Sequence, residues 1–454
     1  MAAFEELRID GRVATPGDPD WDEARAAWNL VADQRPEAVV FAENAADVAA
    51  TVGFAGENDL RIAAQGTGHG AAALGSLADT ILLKTERMRG IEVDPGERTA
   101  RVEAGVLSVE LGQAANEHGL SFMPGSSPDV GVTGYTVGGG LSWFGRRHGF
   151  ACNRVLAVEL VTADGERRTV DAGSDPALFW ALRGGGGGYA VITALRVELL
   201  PIAEVYAGAL LFPAELGVDA VRAYRDWAAS APEEITSAVR FLTPPDRPDV
   251  PEPLRGTPLL TIDGAFIGSQ AEGEALIAPL RELGTPIIDT FAQIPAAGLS
   301  HIHMDPENPV PGIGEGMLIK ELPDEAIEAW AAATGPRSNA PLLLSELRHL
   351  GGALARAEEG AGALSHLDAG FVMYSVGMPV TPELAEAIPA YLHKLEETMS
   401  PWSSEGSYYN FTERSCDVDA ILPPDVCARL AEVKRRYDPA NRIVANHAVS
   451  LDLA

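Results

Sequence analysis

The stretch RIAAQGTGHGAAALGS, Arg61 to Ser76, sets four glycines and a single histidine among small residues. Glycine lets backbone N–H groups approach an anion closely, because no Cβ intervenes and positive φ is open to it. Gly66, Thr67, Gly68 and Gly70 can therefore form a nest for phosphate oxygens, a task that does not require imidazole. His69 has two readings. It is either a polar residue satisfying the loop backbone, or a nucleophile whose neutral ring nitrogen bonds an electrophilic carbon of a cofactor held there. Two further glycine runs follow, VGGGLSWFGRRHG (Val137–Gly149) and RGGGGGY (Arg183–Tyr189). One such run serves a tight turn as readily as a ligand. Three, each beside an expected strand, point to a large phosphorylated cofactor.

Other residues invite chemistry less specifically. Gly66 to Ala71 also fits the G-x-G-x-x-A of a nicotinamide-dinucleotide site, with Glu86 downstream. The segment after it, AAALGSLAD, is too short and glycine-broken for a good crossover helix, and no P-loop motif occurs. In SHIHMDPENPVPG (Ser300–Gly312), His301, His303 and Asp305 share the period-2 spacing of one strand face. No third strong ligand partner is evident nearby, so a metal site is not indicated. His303 and Asp305 remain as substrate contacts or plain loop polarity. Arg146, Arg147 and His148 read as phosphate partners or as a solvated cluster.

The elements that would position these residues are legible from pattern. Val39 to Ala42, a helix capped by Asn44, and a strand from Arg61 form a strand–helix–strand unit running into the first glycine loop. SVELGQAANEHG reads as a helix closed by Gly119. VLAVELVTADGERRTVD reads as a hairpin turning at Asp164-Gly165. SDPALFWALR reads as a helix capped by Ser174 or Asp175 and stopped by Gly184. A β-rich stretch, YAVITALRVELLP, follows. The texture changes near Pro201, where Pro-rich connectors such as Thr243–Pro253 read as surface loop, and DVCARLAEVKRRY reads as a late helix.

Composition narrows the partners. The 454 residues carry 65 acidic against 34 basic side chains, a net charge of −31. The basic footprint of a nucleic-acid or anionic-membrane binder is absent. Cys152, Cys416 and Cys427 form no CxxC, which argues against a disulfide scaffold or a zinc–thiolate site. MAAFEELRIDGRV lacks the apolar core of a signal peptide, and no apolar run reaches the ~18 residues of a spanning helix. A cytoplasmic protein is expected.

Taken in order, these motifs resemble one family. The glycine loop with its central histidine, EVDPGERTARVEAGV, GSSPDVGVTGYTVGGGLSWFGRRHGFACNRV, VELVTADGE, DPALFWALRGGGGGYAVIT and the closing YYNF…RRYDPANRIVANH match berberine-bridge-enzyme-like flavin oxidases, of the vanillyl-alcohol-oxidase / p-cresol-methylhydroxylase (PCMH) type. The resemblance implies an α+β, two-domain PCMH-type FAD-binding fold. Residues 1–200 would begin the FAD domain and 405–454 complete it. Residues 201–404 would form an antiparallel-sheet substrate domain backed by helices. It also implies FAD bonded through its 8α carbon to His69, with Gly138, Gly139 and Gly140 near the ADP half and Gly186 and Gly187 close to the cofactor. Many members attach FAD a second time through a cysteine; Ser127 occupies that position here and has no thiolate, so attachment through His69 only is expected. Val130 falls at the family's oxygen gate, where a small residue favours an oxidase. Tyr408 is the implied catalytic base, Asn410 a substrate contact and Asn446 a flavin contact. His447 stands where glutamine is usual. Tyr409, one residue along an expected strand, would face away. The expected partners are a small-molecule substrate, oxidised at a CH–OH or CH–NH carbon, and O2. A dehydrogenase of the same fold is the nearest alternative, and a nicotinamide-dependent oxidoreductase a distant one.

Overall fold

The computed structural model describes residues 4–248 and 250–451. Its strands fall into three sheets, each following from a different hydrophobic pattern. In the first, Ala38–Phe41 is buried at every position, the pattern of a strand covered on both faces. It pairs parallel with Thr80–Lys84, which pairs parallel with Arg61–Gln65. The helix Ala45–Glu57 connects them, and the Asn44 side chain accepts from the Ala46 and Asp47 amides at its start. The expected strand–helix–strand unit is present, with Thr80–Lys84 inserted between its two strands. Ile443–Val444 adds parallel beside Arg61–Gln65 and brings the C-terminal tail to the glycine loop. Only a single 3-10 turn, Ala71–Ala73, stands between that loop and Thr80–Lys84. The crossover helix of a nicotinamide site is missing.

The second sheet is antiparallel, in the order Ile91–Asp94, Thr99–Glu103, Ala190–Glu198, Val155–Thr162, Arg167–Val170. Its last pair is the expected hairpin, with Gly165 at φ 83° in the turn. The helix Pro176–Ala181 is capped by Asp175, whose carboxylate accepts from the Leu178 amide. It is shorter than its sequence pattern. Gly184 turns to φ 94°, where a Cβ would lie 2.3 Å from Leu364, so the chain bends as that leucine packs in.

The third sheet occupies the middle of the chain. Seven strands run in the order Ile288–Asp289, Glu204–Pro213, Leu259–Phe266, Ile235–Leu242, Leu344–His349, Phe371–Gly377, Ile313–Ile319, and Ala292–Pro295 also pairs with Glu204–Pro213. All these pairings are antiparallel. Val239, Phe241, Leu260, Ile262 and Leu347 share one apolar core with Val221, Tyr224, Ile277, Ile327, Trp330 and Leu395 of the helices Gly217–Ser230, Gln270–Arg281, Asp324–Thr334 and Pro382–Met399. This is the helix-backed antiparallel sheet anticipated for the fold. Period-2 alternation sends the intervening residues Arg240, Thr261, Asp263, Glu346 and Arg348 to the opposite face. That face lies toward Trp143 and Tyr408. Among the described residues, no helix is long and apolar enough to cross a membrane.

Candidate active site

The glycine loop is held from the N-terminal side. The Trp28 amide donates to the Thr67 carbonyl at 3.0 Å, and the Asn29 amide to the Gly68 carbonyl at 3.4 Å. Gly68 adopts φ 87°, and a Cβ there would sit 2.8 Å from the Ala27 Cβ, so glycine is required by close approach and by conformation together. The Trp28 indole stacks on the His69 ring, with centroids 3.9 Å apart and planes at 18°. Thr67 Oγ1 lies 2.8 Å from His69 Nδ1. On the other edge, His69 Nε2 faces Asp129 Oδ1 at 3.5 Å, while the Trp28 indole N–H donates to Asp129 Oδ2. Asp129 and Trp28 were not singled out in the sequence; only the fold brings them to the histidine.

Two residues further back, Ser127 Oγ donates to Asp305 Oδ2 at 2.7 Å. Asp305 opens onto a buried cluster of charge on the polar face of the eight-stranded sheet. His303 Nδ1 meets Asp263 Oδ2 at 2.7 Å, and its Nε2 meets Glu346 Oε2 at 3.2 Å and Asp305 Oδ1 at 3.8 Å. Arg240 donates to the His303 carbonyl at 2.6 Å and lies 3.2 Å from Asp263. Arg348 donates to Glu346 at 3.0 Å, and its guanidinium lies 5.5 Å from the Trp143 ring and 5.4 Å from that of Phe411. Three carboxylates thus face two guanidiniums and one imidazole, and the charges balance when His303 is protonated. Burial and Arg240 depress the His303 pKa, but Asp263, Asp305 and Glu346 outweigh them and raise it to about 9. Burial works against ionised Glu346, yet Arg348 and His303 bring it down to about 2.

His303 and Asp305 do not lie on a strand. They follow the 3-10 helix Ala296–His301 in a turn, and His301 points out to Glu307. The period-2 reading fails because a compact turn, which an isolated polar spacing cannot reveal, sends His301 and His303 to opposite environments. Asp263, Glu346 and Arg348 were missed; the signal was the alternation of polar with apolar residues in strands such as LLTID (Leu259–Asp263), which any amphipathic sheet shares.

Tyr408 is 1% exposed. Its hydroxyl accepts from the Leu141 amide at 2.7 Å and from Asn410 Nδ2 at 3.3 Å. Burial pushes the phenol well above its ordinary range, with the Leu141 and Asn410 hydrogen bonds opposing it. Phe411 packs edge-on against Tyr408 and joins it to Arg348. Residues Tyr409–Phe411 form a 3-10 turn, not a strand. Tyr409 turns toward Gly186 and His447, whose ring centroid lies 4.6 Å away.

The second and third glycine runs receive these aromatics. A Cβ on Gly138 would lie 1.9 Å from Asn410 Oδ1, and one on Gly139 3.0 Å from the Tyr408 ring. Gly140, at φ 77°, is closed on by Ala151 and Tyr135. Gly186 sits against the Tyr409 hydroxyl, and nothing lies within 4 Å of a Cβ built on Gly187. Asn446 Nδ2 donates to the Gly70 carbonyl at 3.1 Å, placing the tail on the first loop. Val130 is half-buried, and its carbonyl accepts from the Ser108 amide at 2.9 Å. Arg146 is not a phosphate partner: it is buried and donates to the carbonyls of Leu350, Pro232 and Ile235. Arg147 pairs with Glu234.

These residues fit a polar dinucleotide. Thr133 Oγ1 and both amide atoms of Gln65 are buried without a hydrogen-bond partner within the chain, while His69 Nε2 and Asp129 Oδ1 face each other at 3.5 Å without a hydrogen bond. Buried polar atoms are nearly always satisfied, so a run of unpartnered ones along the glycine loop suits a ligand rich in donors and acceptors. Gly66, Thr67, Gly68 and Gly70 would hold its diphosphate, and His69 lies at the end nearer Ser127.

Comparison with known proteins agrees. Residues 36–171 match the FAD binding domain family. The (R)-6-hydroxynicotine oxidase of Paenarthrobacter nicotinovorans is 28% identical, covering 98% of this chain and 97% of that protein. An uncharacterised FAD-linked oxidoreductase of Bacillus subtilis is 28% identical over 62% of this chain, which spans 61% of that protein's length. Among solved structures, the BBE-like 1 protein of Physcomitrella patens has a TM-score of 0.85 at 19% identity, covering 98% of this chain and 97% of that one. The fold is therefore that of the PCMH-type and berberine-bridge-enzyme-like flavoproteins. The matched domain binds FAD, which sets aside the nicotinamide reading of Gly66 to Ala71.

Proposed function

We propose that this FAD-linked oxidoreductase is an oxidase: it removes two electrons from a CH–OH or CH–NH carbon of a small organic substrate and O2 is reduced to H2O2. The observation that carries the reading is the bond from Ser127, in the segment beside His69, to Asp305, at the edge of the buried charge cluster. It sets the cofactor loop and the polar face of the eight-stranded sheet side by side.

FAD, when bound, supplies the two-electron acceptor. The rest of the work falls to the chain. The amides of the first glycine loop bind the diphosphate, and His69 tethers the cofactor covalently. Ser127 adds no second tether. Tyr408 takes the proton from the substrate O–H or N–H. Two donors already rest on its oxygen and act against the burial that raises its pKa. Asp305 and Asn410 contact the substrate, His303, enclosed between Asp263 and Glu346, backs Asp305 from behind, and Asn446 steadies the first loop. Val130 leaves the approach open to O2. The full-length similarity to an (R)-6-hydroxynicotine oxidase supports the oxidase reading.

The test is a screen of secondary amines and alcohols with the purified protein, following H2O2 and, anaerobically, reduction of an artificial dye. Peroxide formed in step with substrate loss is expected. Dye reduction without peroxide would assign a dehydrogenase instead.

A further inference from the structure

The clamp on His69 has a direction. Its Nε2 faces a carboxylate oxygen, Asp129 Oδ1, at 3.5 Å. A ring lone pair on that edge would meet an anion, so the favoured tautomer carries its proton on Nε2. Nδ1 then keeps its lone pair and accepts from the Thr67 hydroxyl at 2.8 Å. The indole N–H of Trp28 holds the other carboxylate oxygen, and its face stacks on the imidazole. Carboxylate orientation, tautomer and ring plane are thus set by three residues from three separate segments. A carboxylate placed on one histidine nitrogen commonly orients the ring and fixes its tautomer.

We propose that Asp129 is the positioning residue for flavin attachment: its carboxylate, facing Nε2 of His69, favours the ring proton on that edge so that Nδ1 bonds to the flavin 8α carbon. The inference rests on the covalent reading of His69 above. In the step, the Nδ1–C8α bond forms while one methyl C–H bond and the imidazole Nε2–H bond break. The electron pair of the C–H bond passes to the isoalloxazine. Asp129 receives the Nε2 proton and relays it, and both protons end on the two-electron-reduced ring. O2 then takes two electrons and two protons as H2O2, restoring the oxidised, tethered cofactor. Trp28 serves Asp129 by fixing the carboxylate on the ring edge.

The experiment compares wild type, Asp129→Asn, Asp129→Glu, Trp28→Phe and His69→Ala, each incubated with FAD in air. Covalent incorporation is timed by intact mass and by flavin fluorescence of the denatured band, and total FAD uptake is measured separately. Asp129→Asn is expected to bind FAD as wild type does but to attach it at least about tenfold more slowly, the usual scale for such an outer carboxylate. Asp129→Glu recovers part of the rate, and Trp28→Phe falls between. Attachment by Asp129→Asn at the wild-type rate overturns the proposal. Should Asp129→Asn take up no FAD, Trp28→Phe decides: an unaltered attachment rate there overturns it equally. A digested flavin peptide linked through Nε2 also contradicts it. Absence of covalent flavin in wild type, or its persistence in His69→Ala, removes the covalent reading itself, a result distinguishable from failure of Asp129 alone.

Discussion

Ser127 and Asp305 are 178 residues apart in sequence and joined by a 2.7 Å hydrogen bond. The pair welds a loop that follows the second sheet's early strands to a turn inserted in the third sheet. Asp305 in turn faces His303, and His303 sits between Asp263 and Glu346. A cofactor segment and a charged sheet face therefore meet through the half-buried Ser127–Asp305 pair, with His303, Asp263 and Glu346 enclosed behind it.

Removing one charge from that cluster should be severe. Glu346 is 2% exposed and contacts both His303 and Arg348. Glu346→Gln leaves the two cations short of a counter-charge, and breaking such a buried pair costs about 3–5 kcal/mol. Chemical denaturation should register a loss of that size. A change under about 1 kcal/mol, the range of an exposed pair, would show that the cluster is not desolvated as described.

The cluster should also make stability depend on alkaline pH. The His303 pKa is raised from 6.5 to about 9. Its folded state therefore holds a proton that the unfolded chain releases above neutrality. The resulting stabilisation is complete below 6.5 and fades as pH climbs through about 9. Melting temperature measured from pH 7 to 10 should fall across this window in wild type, and the part due to this residue should vanish in His303→Gln. An identical alkaline profile in the variant would refute the assignment.

The catalytic role of Tyr408 predicts a split between chemistry and binding. Tyr408→Phe removes the hydroxyl that accepts from Leu141 and Asn410 while keeping the ring against Gly139. Loss of a general base typically slows turnover by about 10²–10⁴-fold. Single-turnover reduction should slow on that scale while FAD content is unaltered. A variant retaining most of the wild-type rate would transfer the role to another group.

Oxygen reactivity is expected to depend on residue 130. Val130→Leu should lower the rate of peroxide formation by on the order of tenfold, about 1.4 kcal/mol of barrier, with anaerobic dye reduction preserved. Equal loss of both activities would mean that the side chain matters for substrate chemistry, not for access of O2.

The sequence carried some of this arrangement openly. Asn44, Asp175 and Gly165 announce a helix start, a second helix start and a hairpin through local backbone chemistry, and each does so in the structure. His69 stands out because glycine-rich loops seldom need imidazole. What stayed hidden depends on distant packing. Asp129 gains meaning only once Trp28 folds over the loop, and Glu346 only once a sheet face meets His303. The stretch around His303 misled because polar spacing of two residues suits a strand, whereas the chain there coils into a 3-10 helix and a turn. Tyr408 to Phe411 behaved alike: a tight turn, not an extended segment, sets Tyr408 and Tyr409 against different glycine runs.

The most direct measurement is the absorption spectrum and intact mass of the purified protein after acid precipitation and resuspension in denaturant. A tethered FAD predicts a yellow precipitate, a polypeptide mass increased by one FAD, and loss of both in His69→Ala. A colourless precipitate with free FAD in the supernatant would contradict the tether, and a native protein that takes up no FAD at all would contradict the account as a whole.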